Sequence, residues 1–230
     1  MIRDILLMLL ALFPGLVICW YIYHLDKYEK ESRLHLALTF LAGLLATIPV
    51  MRIELWAANA GWDDPRHLGI TLFSSFIVVA LTEELAKYLL LMAYPYPRAF
   101  FNEPMDGIVY AVMISMGFAT LENILYAGKF GLGTTILRAF TAVPAHASFA
   151  IIMGYFVGQS KFAATALQSR RLLALGLIVP VGIHGVYDFF ILQEAYEELM
   201  ILALVVLGAS IYLARQLILD QQERSPFRDK

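Results

Sequence analysis

Seven apolar runs, each close to or above the length needed to cross a bilayer, constrain this chain more than any other feature. A helix needs about 20 residues to span the hydrocarbon layer, and the runs fall at roughly 4–23, 34–51, 68–94, 107–127, 135–159, 172–192 and 198–219. The segments between them are too short for a soluble domain. The composition agrees, with 60% hydrophobic and 16% charged residues against about 45–50% and about 25% in soluble domains. These figures exclude both an ordinary soluble protein and a disordered chain. The expected architecture is all-α: one polytopic transmembrane helix bundle over residues 1–230 in contact with the lipid bilayer.

A net charge of −2, with no face that concentrates Lys and Arg among aromatics, argues against a nucleic-acid partner. The single cysteine, Cys19, excludes an intramolecular disulfide and a Cys-rich metal site. The first run is expected to be a true span rather than a cleaved signal. No small-x-small site follows it, and the flank His24-Leu25-Asp26-Lys27-Tyr28-Glu29-Lys30 is solvated. Gly154 and Gly158, four residues apart, suit close helix packing.

Orientation follows from the basic residues. The N-terminus and the segments 52–67, 128–138 and 193–197 carry five: Arg3, Arg52, Arg66, Lys129 and Arg138. The segments 24–33, 94–106 and 160–171, with the C-terminal tail and Arg215 near the end of the last run, carry eleven. The positive-inside rule places the C-terminus in the cytoplasm and the N-terminus outside.

Within the apolar runs stand Glu83, Glu84, Lys87, Glu122, His146, His184 and Asp188. Five formal charges at helix centres cost on the order of 15 kcal/mol if unpaired, at about 3 kcal/mol each. Four acids against one Lys leave a net −3 if all are ionised, so the cluster must bind protons, a cation, or both. Most of these residues lie within about five positions of the middles of spans 3 to 6, roughly 8 Å at helical rise, which points to one shared site. Lys87 stands at i+4 from Glu83 and i+3 from Glu84 and can neutralise either. The two glutamates differ by about 100° around the helix and are not expected to point at the same partner. His184 and Asp188, at i and i+4, share a face from which both reach one metal or one water. His24, His35 and His67 lie at span ends or in loops, where solvated surface is expected.

With these residues assembled, the sequence resembles the PrsW family of membrane proteases. It is also distantly similar to the wider group of CAAX prenyl endopeptidases and bacterial Abi proteins. The resemblance rests on Glu83-Glu84-Leu85-Ala86-Lys87 for EExxK, on Phe118-Ala119-Thr120-Leu121-Glu122-Asn123, and on His184-Gly185-Val186-Tyr187-Asp188 for HxxxD. Asn102-Glu103-Pro104-Met105-Asp106-Gly107 and Pro144-Ala145-His146-Ala147 also look like family segments, so the likeness covers about residues 70–190. Glu122 stands where the CAAX endopeptidases typically carry His. The resemblance implies a bacterial cell-membrane endopeptidase that cuts a single-span membrane protein, as in first-site cleavage of an anti-sigma factor.

Peptide hydrolysis needs an activated water, a stabiliser for the oxyanion and an acid for the leaving amine. Glu84 (or Glu83) is the expected general base, with Lys87, Glu122 and His184 completing the catalytic set. His146, His184, Asp188 and Glu122 offer ligands suited to Zn²⁺. Without a metal, His184 would donate to the oxyanion and Glu122 would stay protonated. Two other classes place such residues at mid-membrane: a proton- or cation-coupled transporter and a catalytically idle scaffold of the same fold. Hydrolysis of a tethered peptide separates protease from both.

Overall fold

The computed structural model describes residues 2–228. Met1, and Lys230 of the C-terminal basic count, lie outside the described residues. Because backbone polar groups in lipid find no water, each crossing satisfies them internally, and the described structure is helical. The helices are α1 (Ile2–Leu25), α2 (Arg33–Asn59), α3 (Leu68–Ala93), α4 (Pro104–Phe140), α5 (Ala142–Lys161), α6 (Ala166–Leu192) and α7 (Ile201–Glu223), the last entered through a 3₁₀ turn at Glu197–Met200.

By length and composition, six helical stretches among the described residues suffice to cross a membrane. One of them, Pro104–Lys161, is 58 residues long. Straight, it would measure about 87 Å at 1.5 Å per residue, nearly three hydrocarbon layers. It holds two of the seven apolar runs and doubles back. Gly131 breaks it at φ 79°, ψ −162°, where no atom lies near the position of a Cβ, and α5 begins after Thr141.

The returning pair is the centre of the molecule. The apolar 18-residue window within Pro104–Lys161 is 83% buried, against 22–39% for the corresponding windows of the other five. Glycines set its spacing. A Cβ on Gly154 would fall 2.3 Å from the Gly107 carbonyl oxygen, and one on Gly158 would fall 2.1 Å from that of Pro104. The start of α4 therefore lies against the end of α5, antiparallel and in backbone contact, the close packing anticipated from Gly154 and Gly158. On the other side α2 approaches as closely, through Gly43 against Ile114 and Gly117 against Phe40. The outer helices turn Leu6, Leu9, Phe13, Leu204 and Val205 outward, an apolar surface suited to lipid.

α3 is not a uniform α-helix. Ser74–Leu81 winds as a π-helix, with α-helix resuming at Thr82, immediately before Glu83. Segments of this type are rare and cluster at functional sites. His35 corrects one expectation. It is half-buried, stacked on Phe100 with ring centroids 4.0 Å apart, and its Nδ1 lies 2.7 Å from the Tyr94 hydroxyl.

Candidate active site

Four helices bring the seven intramembrane polar residues to one place. α3 supplies Glu83, Glu84 and Lys87, α4 supplies Glu122, α5 supplies His146 from its first turns, and α6 supplies His184 and Asp188. Gly185 lets α3 come in against α6, since its Cβ position would lie 2.6 Å from the Phe76 ring on the π segment. Ser115 Oγ donates to the His146 carbonyl at 3.0 Å and ties α5 to α4.

Lys87 stands at the middle, 2% exposed. Its Nζ donates to Glu83 Oε2 at 3.0 Å, to Glu84 Oε1 at 2.8 Å and to His146 Nδ1 at 3.2 Å. It also lies 4.5 Å from the centroid of the Phe118 ring. The two glutamates thus share a partner, against the expectation drawn from their 100° separation. A four-carbon stem one turn away reaches between both carboxylates, and side-chain length overrides helical angle.

The imidazoles are arranged alike. His146 takes Lys87 on Nδ1 and meets Glu122 Oε2 with Nε2 at 3.0 Å. His184 meets Glu84 Oε1 with Nδ1 at 3.0 Å and Asp188 Oδ2 with Nε2 at 3.1 Å. Because Lys87 can only donate, His146 carries its proton on Nε2 and donates to Glu122. His184 has a carboxylate on each nitrogen, so the Glu84–His184–Asp188 chain needs one proton beyond a neutral ring. Phe149 stacks on His184 at 4.9 Å and fixes its plane.

The expected metal ligands His146, His184, Asp188 and Glu122 do not form the converging set. The side chains whose ligand atoms all lie within 4.8 Å of one another are Glu83, Glu84, His146 and His184. Glu122 and Asp188 instead hold the far nitrogens of different histidines. Two imidazoles and carboxylate oxygens are donors suited to Zn²⁺. A carboxylate on the second nitrogen is the usual support of a metal-binding histidine, and buried Glu84 Oε2 has no donor among the described residues. The group fits a metal, which would compete with the Lys87 ammonium for the same donors.

Three participants escaped the sequence reading. Arg138, counted above as a loop residue, is half-buried, with 14% of its side chain exposed. Its Nη2 lies 2.8 Å from Glu122 Oε1, and its Nε donates to Asn123 Oδ1 at 3.0 Å. Glu122 demanded a cation, and Arg138, beyond the break at Gly131, is the one that folds back to it. Glu54, on the part of α2 that runs past its apolar stretch, and Tyr187 join Arg138, Glu83, Glu122, His146, His184 and Asp188 among the residues that line a cavity of about 180 Å³. Glu84 is not on that lining. The acids Glu54, Glu83, Glu84, Glu122 and Asp188 face Lys87 and Arg138, so the net −3 anticipated for ionised acids and neutral histidines is unchanged.

Comparison with known proteins agrees with this chemistry. A family model described as PrsW family intramembrane metalloprotease matches residues 31–214. The chain is 38% identical over 181 residues to a Protease PrsW of Bacillus subtilis, covering 77% of this chain and 79% of that protein. It is 37% identical over 195 residues to a Protease PrsW of Geobacillus kaustophilus, covering 83% and 84%. A Protease PrsW of Clostridioides difficile is 34% identical over 207 residues, covering 86% and 84%. No solved structure matches the chain.

Proposed function

The chain belongs to the PrsW family of intramembrane metalloproteases, and we propose that it hydrolyses a peptide bond of a single-span membrane protein, as in first-site cleavage of an anti-sigma factor. Membership makes it a peptidase of the membrane. The observation that carries the finer reading is the buried Glu83–Glu84–Lys87–His146–His184 cluster at the wall of a small cavity.

Glu83 is the proposed general base. Its carboxylate lies on the cavity, while Glu84 is turned to Lys87 and His184. A carboxylate held there takes a proton from water as the water attacks the peptide carbonyl, and returns it to the leaving amine. The Lys87 ammonium, 3.0 Å from Glu83, and the Arg138 guanidinium at the cavity wall offset negative charge as the oxyanion forms. His146, His184 and Glu84 are the proposed holders of a Zn²⁺, and Glu122 and Asp188 orient the imidazoles. Such a metal, when bound, supplies Lewis-acid polarisation of the scissile carbonyl.

The route to the site also fits a tethered substrate. Ile191 and Leu192 line both the small cavity and a wider hollow of about 850 Å³ bordered by Asp63, Pro65, Phe130 and Glu197. The shared Ile191 and Leu192 stand where α6 finishes, and Asp63 and Pro65 just beyond the end of α2, which is the outer face in the orientation expected from the basic residues. A peptide emerging from a single span would enter there.

The test is cleavage by the purified chain in liposomes containing a candidate single-span substrate. Cleavage lost in Glu83→Gln, lost on chelation and restored by Zn²⁺ is the expected result. Transport without hydrolysis would overturn the reading. Cleavage undiminished by full metal removal would leave a glutamate-only protease.

A further inference from the structure

At the opposite end of α4, 16 residues before Glu122 and about 24 Å away at helical rise, lies a second group of acids that the protease chemistry does not use. Glu29 from the α1–α2 segment joins Glu103 and Asp106 from the start of α4, with one ligand oxygen of each within 4.8 Å of the others. Glu103 is 1% exposed and Asp106 fully buried. Asp106 spends Oδ2 on the backbone N–H groups of Asn102, at 2.6 Å, and Glu103, at 2.9 Å, closing the helix cap. The Glu31 carboxyl lies against Asp106 and accepts from the Tyr110 hydroxyl.

Acidic clusters are common, but this one carries an independent mark. Several of its buried oxygens have no donor among the described residues: Asp106 Oδ1, Glu31 Oε1, Glu29 Oε2 and the Asn102 amide oxygen. Asp26, 1% exposed, has no donor on either carboxylate oxygen. The nearby cations are spent elsewhere. Lys30 Nζ donates to the carbonyls of Tyr23 and Asp26, and Lys161 Nζ to those of Tyr96 and Arg98, at 2.7 Å each. Buried acceptors left without donors carry their full desolvation penalty, so something positive must be shared among them. Burial, reinforced by the Glu103 charge and only partly offset by Lys30, lifts the Asp26 carboxyl to about 7.

We propose that Glu29, Glu103 and Asp106, with Glu31 beside them, form a binding site for a hard divalent cation, Mg²⁺ or Ca²⁺, that clamps the 26–32 segment to the head of α4. Such cations take all-oxygen shells, and two ligands at about 2.3–2.6 Å from one Ca²⁺ stand at most about 5.2 Å apart, so oxygens within 4.8 Å of one another can share an ion after small shifts. Without nitrogen or sulfur donors, the site discriminates against Zn²⁺. The clamp is independent of the protease chemistry and is read without it.

The full chain in detergent, freed of metal by chelation, is titrated with MgCl₂ and with CaCl₂ while calorimetry follows binding and the thermal midpoint is recorded. The expected result is saturable binding of at least one cation with a rise in the midpoint of about 3 °C or more. That rise should persist in Glu83→Gln and vanish in a Glu29→Gln/Asp106→Asn double variant. Asn at 106 keeps an oxygen for the two backbone donors, so the helix cap survives. A response to Mg²⁺ alone identifies a Mg²⁺ site, and a tighter response to Ca²⁺ a Ca²⁺ site; either supports the clamp. Should the double variant fail to fold, Glu29→Gln alone decides, with an affinity about 10-fold weaker expected and an unchanged one overturning the proposal. No binding of either cation up to about 10 mM, roughly tenfold beyond the weak end of known sites, overturns it, as does a midpoint shift that survives in the double variant.

Discussion

Lys87 touches two carboxylates and an imidazole at once, and the inequality of those three partners sets what substitution should do. Glu83 faces the cavity and Glu84 does not. Glu83→Gln is expected to lower kcat about 100-fold or more, the usual worth of a general base, while Zn²⁺ content stays at the native level. Glu84→Gln should lose both activity and metal, because it removes a ligand and frees His184. Enzyme assays paired with elemental analysis check this, and a Glu83→Gln variant with native activity would end the base assignment. Lys87→Met leaves two buried carboxylates facing each other. Removing one partner of a buried ion pair costs about 3–5 kcal/mol, so the variant should unfold readily in chelator and regain its thermal midpoint when Zn²⁺ is added. A midpoint indifferent to Zn²⁺ would show that the donors do not hold a metal.

The helices that carry these residues depend on features of unequal visibility in sequence. Gly154 and Gly158 announce close packing, and Gly154→Ala, which drives a methyl group onto the Gly107 carbonyl, is expected to cost about 1–3 kcal/mol by overpacking. It should also slow cleavage, since α5 carries His146. Unfolding and activity measured together test the coupling, and an unaffected protein would mean the two helices are free to separate. The charged residues inside apolar runs were equally legible, because membrane burial makes each one anomalous. Three features were not. The π segment at Ser74–Leu81 has no signature in an apolar run, where every register looks alike. The return of Arg138 to Glu122 depends on the backbone at Gly131 taking a positive φ, and sequence spacing alone places Arg138 in a solvated loop. Glu54 was hidden because α2 continues to Asn59, beyond the stretch that reads as apolar.

At the scale of the whole molecule the open quantity is direction. The long stretch at Pro104–Lys161 resolves into two antiparallel helices, so the chain crosses an odd number of times if each of the seven helices is one crossing. The two ends then lie on opposite sides of the membrane. Arg138, now paired with Glu122, no longer counts as a free loop charge, and the contrast of eleven basic residues to five becomes eleven to four. On that count the positive-inside rule still predicts segments 24–33, 94–106 and 160–171 on the cytoplasmic side. In that orientation the protease cavity would lie toward the outer face and the second acidic group would face the cytoplasm, where Mg²⁺ is the abundant divalent cation. A reporter fused after Lys230 should be active only in its cytoplasmic form, and one placed before Met1 only in its external form. Single cysteines provide a finer check once Cys19 is replaced by Ala. One at Asp63 should react with an impermeant thiol reagent added to intact cells, and one at Gln168 should react only after lysis. Labelling of both sites in intact cells, or of neither, would mean that one helix does not cross, and α3, with Glu83, Glu84 and Lys87 in its second half, is the first to examine.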